Sequence, residues 1–119
     1  MTDHDKPLTS ECIYLMTDGF YCKYMYDEIY QIIVSGRSCN MYLSPDKSIR
    51  LVLSISLSKL MNFLPAHIFI QTHRSYVANI NHIKRIVGNT LHVGDAIVPI
   101  GREYKECVYS RLNIVGFTL

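Results

Sequence analysis

Between two apolar anchors, Phe69-Ile70 and Tyr76-Val77, the chain sets five hydrogen-bonding residues in a row: Gln71, Thr72, His73, Arg74 and Ser75. The planar guanidinium of Arg74 can fork onto two acceptors at once, such as the edge of a guanine or a pair of phosphate oxygens. Hydroxyls like those of Thr72 and Ser75 bond phosphate oxygens. His73 can donate to an anion, or it can turn inward and fix the loop. The same run also suits a plain surface turn with a satisfied core histidine, and local chemistry leaves both readings open.

Other chemistry finds less support. Cys12, Cys22, Cys39 and Cys107 include no Cys-x-x-Cys pair, so they read as reduced thiols rather than a disulfide or zinc framework. Cys39 and His73 supply a thiol and a base, but nothing orients the histidine and no oxyanion donor can be named, so no enzyme is expected. The five histidines are scattered, and neither a metal site nor a cofactor is expected. Tyr21, Tyr24 and Tyr26 could stack single-stranded bases, although aromatics at such spacing in a strand suit packing better.

Charge is unevenly placed. Residues 1–28 carry six acids against two lysines, a net of −4, while residues 29–119 carry four acids against ten Lys and Arg, a net of +6. From Asp46 to Asp95 there is no carboxylate, yet Lys47, Arg50, Lys59, Arg74, Lys84 and Arg85 lie in that interval. A stretch of this kind does not repel phosphate, and its cations can displace condensed counterions. It would equally serve as an ordinary solvated face.

The elements that must position these residues are short. The 119 residues suit one domain, and an apolar fraction of 49% can bury a core. No apolar run reaches the ~20 residues of a membrane span, and the acidic start is unlike a secretory signal, so a cytoplasmic protein without membrane contact is expected. Residues 1–11 read as a flexible lead-in or linker remnant, 12–114 as the domain, and 115–119 as a tail. Strands are expected over 13–16 and 20–26 around an Asp18-Gly19 turn, then over 28–34 and 39–43. Alternating Ile49, Leu51, Leu53 and Ile55 predict another strand. Leu57, Leu60, Met61 and Leu64 then fall on one helical stripe, with Ser56 as N-cap and Pro65 as stop. Residues 68–70 form a short strand, and 71–81 show no clear period. Three strands follow over 83–87, 90–93 and 97–100, then a helix over 102–112 with an Arg102–Glu106 pair on its surface. The fold class is mainly β: eight or nine short strands in a small sheet or sandwich arrangement, with two or three short helices.

Here a family resemblance enters. Phe69-Ile-Gln-Thr-His-Arg-Ser-Tyr-Val-Ala-Asn79, followed by Ile83, is similar to the Phe-x-Arg-x-His-Arg-Ser-Tyr-x-Val-Asn signature of the LytTR-type DNA-binding domain of bacterial response regulators. Leu57 to Pro65 resembles the family's helix ending in Leu-Pro, and Asp27 to Ile32 resembles its early strand. Val98-Pro99-Ile100-Gly101-Arg102-Glu103-Tyr104 resembles its segment before the last helix. The match spans roughly residues 13–112 in order.

The resemblance implies an elongated β fold that places loops in successive major grooves of double-stranded DNA. It also implies transcription regulation in a two-component system, homodimers on repeated sites, and an upstream receiver or sensor partner. Carried over by position, the contact residues are Arg37, Ser38, Cys39 and Asn40 in the first loop, and His73, Arg74 and Ser75 in the second. Arg102, Tyr104 and Lys105 follow at the last helix; Asn79 closes the signature, and Lys84 supplies phosphate charge. Departures from the family pattern are Gln71, Ala78, the Ile33-Val34 pair and Gly101, which stands where the family has serine. They keep a second reading open: a protein-interaction module with this fold that has lost sequence-specific DNA binding.

Overall fold

The computed structural model describes residues 11–116. Residues 1–10 of the expected lead-in and 117–119 of the expected tail lie outside that range. Among the described residues, ten strands form three antiparallel sheets. A two-stranded sheet pairs β1 (Cys12–Thr17) with β2 (Phe20–Met25) around Asp18-Gly19. A five-stranded sheet has the order β5-β4-β3-β7-β6, from β3 (Gln31–Ser35), β4 (Ser38–Tyr42), β5 (Arg50–Leu53), β6 (Phe69–His73) and β7 (Tyr76–Asn79). A three-stranded sheet holds β8 (Ile83–Val87), β9 (Thr90–Val93) and β10 (Ala96–Pro99). Helix α1 (Leu57–Met61) follows β5, and α2 (Lys105–Arg111) closes the fold.

Strands β3, β7 and β6 of the five-stranded sheet are packed on both faces. Side chains alternate along a strand, so neighbours point to opposite sides. Ile32 and Val77 face one core with Tyr26, Ile29, Met41, Leu60 and Phe69. Ala78 and Ile70 face the other, with Leu91, Val93, Val98 and Val108 from the small sheet and α2. Full burial of each large aliphatic or aromatic side chain contributes about 1.5–3 kcal/mol. Phe69 is 1% exposed and meets the Tyr26 ring edge-on at 5.7 Å. Tyr26 is therefore core, and no continuous stacking platform runs along β2.

Several expected boundaries move, each for a local reason. Residues 26–28 are a 3₁₀ turn, not strand, because the Glu28 carboxylate accepts from the Met25 N–H at 2.7 Å and closes it. Helix α1 ends at Met61 rather than Leu64, although Leu64 stays buried at 5% exposure. Ser56 caps it as expected, its hydroxyl accepting from the Lys59 N–H at 3.3 Å. The last helix begins as a 3₁₀ turn over Arg102–Tyr104. The aperiodic run 71–81 is in fact a hairpin. A bulge between Gln71 and His73 shifts the register, and one extra residue is enough to scramble a period of two.

Candidate nucleic-acid interface

The register of the five-stranded sheet decides what its turns can do together. Strand β3 runs antiparallel to both β4 and β7. Its last residues therefore lie beside the first residues of β7, and the Val34 N–H donates to the Ser75 carbonyl at 2.9 Å. Both the β3–β4 turn (Gly36-Arg37) and the β6–β7 turn (Arg74-Ser75) thus emerge from the same end of the sheet. Gly36 has φ +62°, as the first central residue of a two-residue hairpin turn requires for a matching twist. Arg37 and Arg74 are both exposed.

The β6–β7 turn is built before any ligand arrives. The Ser75 N–H donates to His73 Nδ1 at 3.1 Å. Gln71 Nε2 donates to the carbonyls of His73 (3.2 Å) and Arg74 (3.4 Å). An acceptor Nδ1 leaves any proton of the neutral ring on Nε2. The ring also meets Tyr76 edge-on at 5.4 Å. His73 therefore shapes the turn, while Arg74 projects from it.

A third basic residue joins through the backbone. The Gly101 N–H donates to the Thr72 carbonyl at 2.7 Å, fastening the start of the last helical segment to β6. A Cβ at position 101 would sit 3.3 Å from His73 Cδ2 and 3.3 Å from Tyr104 Cδ1. Glycine here lets His73 and Tyr104 close in where the family serine would stand. His73, Arg74, Gly101, Arg102, Glu103 and Tyr104 line one shallow cleft of about 330 Å³. Arg74 and Arg102 consequently flank a common concavity. Lys105 lies one residue beyond Tyr104, its ammonium 5.7 Å from the Tyr109 ring centre. The expected Arg102–Glu106 ion pair does not form, and among the described residues the guanidinium has no carboxylate partner.

Three of the expected contact residues are buried. Asn79 is fully buried; its Nδ2 donates to the carbonyls of Tyr26 (3.0 Å) and Ile29 (2.9 Å), and its Oδ1 accepts from the Asn81 N–H (2.9 Å). It holds the 3₁₀ turn against β7. Cys39 is fully buried too, its thiol donating to the Ile55 carbonyl at 3.2 Å, and burial pushes that thiol up from its ordinary pKa. Asn40 is 9% exposed within β4, so the first loop presents Arg37 with half-buried Ser38 behind it. Lys84 is exposed, but Ile83 beside it pairs with Val93, at the end of β8 opposite the Val87–Thr90 pair. The Ile100 N–H bonds the Asn89 carbonyl beside that pair, so Lys84 stands apart from Arg102. Sequence reasoning missed Gln71 as a staple of the turn. Its signal was a long amide two and three residues before carbonyls that a tight turn leaves unpaired.

The result is a mainly-β domain that offers arginines on adjoining turns, with a packed interior behind them. The family match agrees. The LytTr DNA-binding domain matches residues 21–113, and the chain belongs to that family, a DNA-binding rather than an enzymatic one. The LytTr DNA-binding domain of a response regulator from Bacillus cereus has the same fold. It superimposes with a TM-score of 0.71 at 21% identity, covering 87% of this chain and 98% of that one. No curated protein matches the chain. Among the described residues, no helix is long and apolar enough to cross a membrane.

Proposed function

We propose that this domain binds duplex DNA sequence-specifically as a transcription regulator, with its turns entering successive major grooves. The observation that carries the reading is the Gly101–Thr72 backbone bond, which seats Arg102 beside Arg74 on one cleft. Arg74 and Arg102 contact base edges or grip phosphates, and Arg37 with Ser38 forms a further contact on the neighbouring turn. Ser75, Tyr104 and Lys105 add hydrogen bonds and charge around them, and Lys84 meets phosphate away from the cleft. Homodimerisation on repeated sites and an upstream receiver or sensor domain belong to the same proposal.

Selection of bound sites from random duplex DNA is the direct test, and it should enrich a defined motif. On that motif, Arg74→Ala and Arg102→Ala should each cost about 1–3 kcal/mol, roughly 5- to 150-fold in Kd. Lys84→Ala should weaken all sequences alike and lower the salt slope by about one ion. Failure to enrich any motif, with binding insensitive to salt, would leave the protein-interaction reading in its place.

A further inference from the structure

A second concavity holds none of these arginines. It is a groove of about 860 Å³ between the two-stranded sheet and the edge of the five-stranded one. Its walls are residues 13–18 and residues 51–55, with Leu60 and Phe63 at its side. A groove that touched only the face of a strand would be lined by every second residue, because side chains alternate. Here every residue of both stretches lines it, so the groove runs along strand edges.

The topology says the same. Among the described residues, β1 pairs only with β2 and β5 only with β4, so each has one open edge there. Among the described residues, no backbone hydrogen bond outside those two ladders engages residues 13–17 or 51–54. Large apolar side chains stand exposed around the gap: Tyr14 60%, Met16 52%, Tyr21 67%, Val52 52% and Phe63 66%. Open edges with apolar side chains invite a further strand, and natural folds usually blunt them with charge, proline or a bulge. None of residues 13–17 or 51–55 is charged or a proline. The one charged residue in the lining is Asp18, at the turn end of β1.

We infer that this groove is a docking site for an extended segment of a partner protein, which adds as a strand between β1 and β5. The occupant is a peptide of alternating apolar side chains with a lysine or arginine at the end that meets Asp18. Backbone bonds to the two edges supply affinity, and pockets beside Leu60 and Phe63 select the side chains. Asp18, in a lining without cations, turns phosphate away and separates this site from the DNA-contacting turns. The inference is independent of how those turns read DNA.

The test is an NMR titration of the full chain with the peptide Lys-Val-Thr-Val-Thr-Val and its reversed order. At least one order should give saturable shifts confined to residues 13–18, 51–55, 60 and 63, with new amide protection on both edges. Methylating alternate backbone nitrogens of the peptide, or replacing its lysine by glutamate, should each weaken binding at least tenfold. Tyr14→Lys and Val52→Lys, both at exposed positions, should abolish the shifts while leaving DNA affinity unchanged, which also reports an intact fold. Absence of saturable shifts with either peptide, shifts elsewhere, or equal binding of the methylated peptide would overturn the proposal.

Discussion

Replacing Asn79 by alanine separates an architectural role from a DNA contact. The side chain is fully buried and makes three hydrogen bonds to three backbone groups. After truncation the Tyr26 carbonyl still accepts the Ile29 N–H at 3.0 Å, so that loss is about 1 kcal/mol, the net worth of an ordinary bond. The Ile29 carbonyl, in a fully buried residue, keeps no such partner among the described residues, and an unpaired buried carbonyl costs about 1–3 kcal/mol. Losing the bond from the Asn81 N–H, which caps the 3₁₀ turn over Ile80–His82, adds about 1 kcal/mol. The sum is about 3–5 kcal/mol, a large part of the ~5–15 kcal/mol that holds a domain of this kind together. With a urea slope near ~2 kcal/mol per molar, the midpoint should fall by about 2 M. Affinity for the selected DNA, measured at low temperature where the variant is still folded, should change little. A variant with an unchanged urea midpoint and lost DNA binding would refute this reasoning and return Asn79 to the interface.

Gly94→Ala should destabilise by about 2–4 kcal/mol in the same denaturation assay, because residue 94 has φ +58° and a Cβ there would lie 2.8 Å from the Pro45 backbone. That contact joins the β9–β10 turn to the β4–β5 turn, so thermal unfolding of the variant should broaden if the two sheets part separately. Thiol reagents should modify exposed Cys107 in the native protein and reach Cys39 only on unfolding, as mass spectrometry would show. Burial raises the Cys39 pKa, so its neutral thiol favours the fold below the ordinary thiol pKa of ~8.5, and that contribution is lost as pH rises through the folded value. Stability of a Cys39→Ala variant measured from pH 7 to 10 should therefore fall less steeply than that of the parent.

The sequence by itself determined the elements whose signal is local. Asp18-Gly19 marked a hairpin, Ser56 marked a helix start, and three strands were expected close to where β8, β9 and β10 lie. It also determined the family, since residues 69–83 and their flanks carry a signature in linear order. Tertiary structure decided which of those residues face outward. Asn79 and Arg74 belong to the same run, yet one bonds carbonyls fifty residues away, and the other projects from a turn. Pairing of β3 with β7 set the Arg37 and Arg74 turns at one end, and the Gly101–Thr72 bond brought in Arg102. Such partners lie far apart in the chain, and a residue's type does not say which carbonyl it will meet. The β6–β7 hairpin stayed hidden for a smaller reason: its bulge breaks the period by which a strand is read. Two open edges facing one groove could not be read either, because an edge is defined by the strand that is missing beside it.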